Sequence, residues 1–193
     1  RQRQMCIRDS DESASWVGPG ADYWQEQFHF SDIAQARRSV MAAVRESFEE
    51  TGILLAGEDE QDVVERSSTP ELMAWREAVA EQDKSFSDFL TSSGLSVRAD
   101  LLRPVARWQS PDFFLKRYDI AYFTTALPVG QDPKLLLGKG VWGDWLNVRE
   151  LLEAKDTSEL GDRIGQPNTV GRTLDQLITP GVMLSLIHIS EPT

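Results

Sequence analysis

Between Arg45 and Ile53 the chain reads RESFEETGI, setting Arg45, Glu46, Glu49 and Glu50 within six residues and closing on Gly52. Carboxylates are hard oxygen donors. Several of them on one rigid element, with water in the remaining positions, suit Mg2+ or Mn2+. Histidine and cysteine offer little competing chemistry. Cys6 and His188 lie in terminal segments set aside below, and His29 is the single histidine left, read as a loop residue without a catalytic role. Zinc sites and Ser-His or Cys-His nucleophile pairs are thereby nearly excluded.

For the carboxylates to converge they must share a helix face. With Glu46 at zero and about 100° per residue, Glu50 falls near +40° and Glu49 near −60°. Val40, Val44, Ser47, Phe48 and Thr51 fall on the opposite side, with Met41 at its edge. One face is therefore core, and the other gathers three negative charges. Two readings stand side by side. In the first the cluster is a solvated helix end, and Arg45–Glu49 is a plain surface pair in the weaker, cation-first order. Acidic residues in a last turn oppose the helix dipole, and Glu46/Glu50 repel at i,i+4, each at a cost of about a few tenths of a kcal/mol. In the second reading a divalent cation relieves both.

The helix that must carry the cluster is expected over DIAQARRSVMAAVRESFEET, capped by Ser31 or Asp32 and stopped by Gly52. Ahead of it, residues 11–30 read as an irregular lead-in with Gly-Pro-Gly and scattered aromatics. After it, ILLA (53–56) suits a short buried strand, and the acidic stretch 57–70 a surface loop. ELMAWREAVAEQD and SFSDFLTSSG carry helical patterns and form a helical insertion over about residues 58–96. LLRPVARWQS and KRYDIAYFTTAL read as strands, as does VWGDWL (141–146). NVRELLEA and NTVGRTLDQLI read as helices. No internal repeat is visible, and the alternation indicates a mixed α/β domain.

A chain of 193 residues, 40% hydrophobic with six tryptophans, is long enough for one folded domain. Its formal charge of -11 argues against a nucleic-acid partner, which needs a basic face. No stretch looks like a membrane span or signal peptide, so no membrane partner and a cytoplasmic location are expected. The two ends read as foreign. Met5 to Ser10 back-translates to ATG TGT ATA AGA GAC AG, whose reverse complement in another frame encodes Leu-Ser-Leu-Ile-His, the start of residues 184–193. Residues 1–10 and 184–193 are accordingly expected to be translated sequencing adapters, leaving 11–183 as the domain, with both ends open to truncation. The alternative for the second segment is a genuine apolar strand, VMLSLIHI.

RESFEETGI resembles the second half of the Nudix box, G-x5-E-x7-R-E-U-x-E-E-x-G-U with U apolar. It matches at Arg45, Glu46, Glu49, Glu50, Gly52 and Ile53. Ser47 stands where an apolar residue is usual, and the first glycine and glutamate of the pattern would fall at Ser31 and Arg37. AAVRESFEETGILLAG, LRPVARWQSPDFFLKRYDIAYFTTALP and WLNVRELLEA are similar to a Nudix subgroup with a long helical insertion, one that includes coenzyme A diphosphatases. The resemblance covers about residues 16–178. It implies a Nudix-type α/β/α sandwich with a mixed sheet plus the insertion. The FPGG segment of that subgroup would lie upstream of Asp11, so the domain is expected to be incomplete at its N-terminus.

The resemblance also implies an activity, hydrolysis of a diphosphate joined to a nucleoside, with Mg2+ or Mn2+ as cofactor. The implied partner is a small nucleotide-type substrate of the coenzyme A or acyl-CoA, NADH or ADP-ribose class. Carried over by position, Glu49 and Glu50 are metal ligands, Glu46 is a ligand or the base acting on water, and Arg45 orients a carboxylate. Arg117 is placed to reach a substrate phosphate, or else to pair with Asp119 or cap a strand edge. Trp108 and Phe114 are placed to stack on the substrate, or else to fill core. Where the subgroup carries acidic residues before its WL strand, this chain has Lys139 and Val141, leaving only Asp144. These departures keep open a second function, a Nudix-fold module that binds a nucleotide or a protein without cleaving.

Overall fold

A computed structural model describes residues 14–113, 115, 117–136, 138 and 140–190. The adapter-like segment 1–10, the end of the second at 191–193, Phe114 and Lys139 lie outside the described residues. The chain divides into two compact units, one holding described residues 14–104 and 123–141, the other 105–122 and 142–190.

In the first unit the order is β1 (Trp16–Val17), α1 (Ala21–Phe28), α2 (Ile33–Thr51), β2 (Ala56–Gly57), α3 (Pro70–Glu81), α4 (Phe86–Ser92) and β3 (Ser96–Arg98), then a 3-10 turn at Ala99–Leu101. The long helix α2 has the ends its sequence asks for. Asp32 caps it by accepting the Gln35 N–H at 2.7 Å, and Gly52 closes it at φ 78° with its N–H on the Phe48 carbonyl. Val40, Met41, Val44 and Phe48 are wholly buried, each worth about 1.5–3 kcal/mol relative to exposure. Phe48 stacks on Phe89 of α4 with ring centroids 5.2 Å apart, so the expected helical insertion is part of this core.

The three-stranded sheet runs β1-β3-β2, with β1 parallel and β2 antiparallel to β3. Arg98 in β3 grips Asp100 through both carboxylate oxygens, at 2.8 and 2.7 Å, and also donates to the Asp62 carbonyl. Arg37, where the box glutamate would stand, donates to the Ala14 carbonyl and lies 4.8 Å from the Trp16 ring centroid. That position thus anchors the β1 segment to α2. Ser31, at the place of the first box glycine, packs its N–H and hydroxyl onto the Gln35 side chain at the helix start.

The second unit holds most of β4 (Arg103–Gln109) and β5 (Asp119–Thr124), which pair as a two-stranded sheet, followed by α5 (Val148–Glu153), α6 (Glu159–Ile164), α7 (Leu174–Leu177) and α8 (Pro180–Ser190). No helix among the described residues is long and apolar enough to cross a membrane.

The mixed α/β class and most elements agree with the sequence, and the exceptions have physical reasons. Residues 14–30 are not irregular: α1 forms because Trp24 and Phe28, one turn apart, bury against Phe123. Within ILLA, Leu54, Leu55 and Ala56 are buried and Ile53 is half-buried, but only Ala56 joins a strand. Upstream, the Gln131 side chain takes the place of a neighbouring strand, accepting from Leu54 N–H at 2.9 Å and donating to its carbonyl at 2.8 Å. VWGDWL forms no strand. The Asp144 carboxylate takes the Trp145 N–H at 2.8 Å, a local bond that competes with any ladder, and Val141 and Trp145 stay 78% and 69% exposed. The helix expected over NTVGRTLDQLI shrinks to α7, because Gly171 turns at φ 75° before the Thr173–Gln176 capping box starts it. The alternative of a C-terminal strand is also corrected, since VMLSLIHI lies within the helix α8.

Candidate functional site

The last two turns of α2 place Arg45, Glu46, Glu49 and Glu50. Burial on this helix is wider than its apolar stripe. Ala42, Arg45 and Glu49 form a second buried line, so the cluster is not a uniformly solvated face. Arg45 is 1% exposed, and its Nη1 meets Glu49 Oε1 at 2.7 Å and Glu46 Oε1 at 3.0 Å. The two carboxylate oxygens therefore lie at most about 5.7 Å apart, the sum of those contacts. A surface pair is thus the wrong description of Arg45. The Glu46 side chain is 29% exposed and Glu50 faces solvent.

A second guanidinium reaches the same turn from α3. Arg76 is fully buried and donates through Nε to the Glu49 carbonyl at 3.1 Å, and through Nη2 to the Lys134 carbonyl at 2.8 Å. Burial pushes its pKa below the ordinary guanidinium value, with the Glu77 carboxylate opposing the shift. Lys134 N–H returns to the Thr51 carbonyl at 2.7 Å. The Arg76 guanidinium therefore stands at the negative end of the helix dipole and Arg45 neutralises charge one turn further in, so a metal ion is not the sole remedy for the acidic last turn. Sequence reasoning passed over Arg76. The signal was an arginine at helical spacing from Val79 and Ala80, on the buried stripe of α3.

The donor set is chemically apt for Mg2+ or Mn2+, being carboxylate oxygens on one helix with Glu46 and Glu50 in reach of water. It is not preassembled. Among the described residues no group of three His, Cys, Asp or Glu is arranged to hold a metal ion.

The other candidates belong to the second unit. Arg117 pairs with Asp112 at 2.6 Å, not with Asp119, whose partner is Arg107 through a two-pronged contact. Trp108 is a half-buried member of β4. Asp144 pairs with Arg163. His29 ends α1 in the left-handed conformation, a structural role.

No family model and no curated protein matches the chain. Among solved structures, the crystal structure of a NUDIX hydrolase from Alicyclobacillus acidocaldarius is similar, with a TM-score of 0.51 and 23% identity, over 70% of this chain and 62% of that one. The likeness is one of fold, and the chain spans less than two thirds of its neighbour's length.

Proposed function

We propose that the chain is a metal-dependent hydrolase that cuts a diphosphate linkage in a nucleotide-type small molecule of the coenzyme A or acyl-CoA, NADH or ADP-ribose class. The observation that carries this reading is the clamp of buried Arg45 on Glu46 and Glu49. Taking such ions out of water costs several kcal/mol each, and apolar side chains would stabilise the helix at least as well. Fixing carboxylates in place is what the geometry offers in return, as positioning and electrostatic stabilisation require. The fold likeness to a NUDIX hydrolase supports the same reading.

In this reading Glu49 and Glu50 hold the ion, Glu46 is a further ligand or the base that takes the proton from the attacking water, and Arg45 orients Glu49. Bound Mg2+ or Mn2+ would supply charge neutralisation on the diphosphate and acidify the water. In the second unit, Arg117, whose side chain is 59% exposed, and Trp108 are proposed by themselves as a phosphate contact and a stacking surface.

A second reading, a nucleotide- or protein-binding module without cleavage, is kept open by Ser47, Lys139 and Val141, which stand where the resembled pattern has apolar or acidic residues. Incubation with coenzyme A, NADH and ADP-ribose in the presence of Mg2+ separates the two. Cleavage that Glu50→Gln abolishes supports the hydrolase. Tight binding of one of these nucleotides with no products supports the module.

A further inference from the structure

We propose that Arg76 is a positioning residue for the carboxylate helix, gripping the main chain at Glu49 and Lys134 so that the turn bearing Glu49 and Glu50 keeps the aim that divalent-ion binding needs. The inference rests on the metal-site reading above and deepens it.

Arg76 is wholly buried, yet its hydrogen bonds go to main-chain carbonyls of two segments remote in sequence. Its Nη1 has no hydrogen-bond partner among the described residues. A guanidinium buried in this way is a poor choice for stability alone, since an apolar side chain would avoid its desolvation. Its fork shape explains the choice. Nε and Nη2 span the Glu49 and Lys134 carbonyls at once, while Lys134 N–H closes the loop on Thr51. Glu49 is thereby held at both ends, its carboxylate by Arg45 and its backbone by Arg76.

The helix end is shaped to admit this side chain. A Cβ at residue 52 would stand 3.0 Å from Arg76 Nη1, so Gly52 leaves room for the guanidinium as well as providing the left-handed turn. Outer contacts that orient a ligand are worth about 10- to 100-fold in metal affinity. A lysine at position 76 would keep the charge but could not bridge both carbonyls.

The test is Mn2+ titration of the full chain by water-proton relaxation, with Arg76→Lys, Arg76→Met and a core control, Val97→Ala, compared at matched melting temperature. The inference expects Mn2+ to bind the wild type, to bind both Arg76 variants about tenfold or more weakly, and to bind Val97→Ala as it binds the wild type. Should Arg76→Met fail to fold, Arg76→Lys carries the comparison. Wild-type affinity in Arg76→Lys, or an equal loss in Val97→Ala, overturns the inference and leaves the metal site standing. A wild type that binds no Mn2+ overturns the metal site and the inference together.

Discussion

Arg45 and Glu49 form an ion pair inside the protein, Nη1 to Oε1 at 2.7 Å, with side chains 1% and 7% exposed. At i,i+4 on an exposed helix such a pair contributes about 0.2–0.5 kcal/mol. Here burial changes its meaning, because removing Arg45 takes the clamping cation away from a carboxylate that is itself buried.

Arg45→Met should therefore destabilise the chain by about 3–5 kcal/mol at neutral pH, the scale for breaking one side of a buried pair. Arg45→Met combined with Glu49→Met should recover most of that loss. Urea unfolding of the two variants, compared as a cycle, measures it.

Gln131→Leu should cost at least about 2 kcal/mol. The Gln131 carboxamide satisfies the Leu54 N–H and carbonyl and the Val64 carbonyl, and each buried group left without a partner costs about 1–3 kcal/mol. Urea midpoints for the variant check this, with Leu54 and Val64 amide hydrogen exchange showing where the loss is local.

The contrast between these two sites shows how far the sequence could be read. Arg45 to Ile53 is local, so spacing, caps and the terminating Gly52 were all legible, and the structure keeps them. The burial of Arg45 and Glu49 was not legible, because the coverage of a helix's second side is set by chain remote from it. Gln131 stands 77 residues from the strand-like segment it completes, and no local pattern announces that a side chain will replace a strand. Arg76 left a trace, a cation on an apolar stripe, but its target on another helix did not. VWGDWL misled because strand composition is necessary for a strand while a partner ladder is decisive.

Gly52→Ala should destabilise by about 1–3 kcal/mol. Its φ of 78° strains any side chain, and the added methyl would press on Nη1 of a guanidinium held in place by the hydrogen bonds of its Nε and Nη2. In an Arg76→Ala background the penalty should shrink to the backbone part alone, a coupling that thermal unfolding of the double variant reads.

Acid should loosen the first unit through Asp100. Hydrogen bonds from the Arg98 guanidinium hold its carboxyl below the ordinary value of 3.8. The folded state thus binds this proton less readily than the unfolded chain does. The contribution to stability is present above about pH 4 and is lost as pH falls through the lowered folded-state value. Asp100→Asn should be less stable than wild type at pH 7 and show a shallower decline below about pH 4. Urea midpoints taken from neutral to acid pH give both slopes.

The most direct test of the account is product analysis after incubating the chain with coenzyme A, NADH and ADP-ribose in Mg2+, beside Glu50→Gln. The account predicts cleavage of at least one diphosphate into two phosphorylated products, with the rate falling about a hundredfold or more in the variant. Intact substrates in every case, or equal rates for wild type and Glu50→Gln, would contradict it.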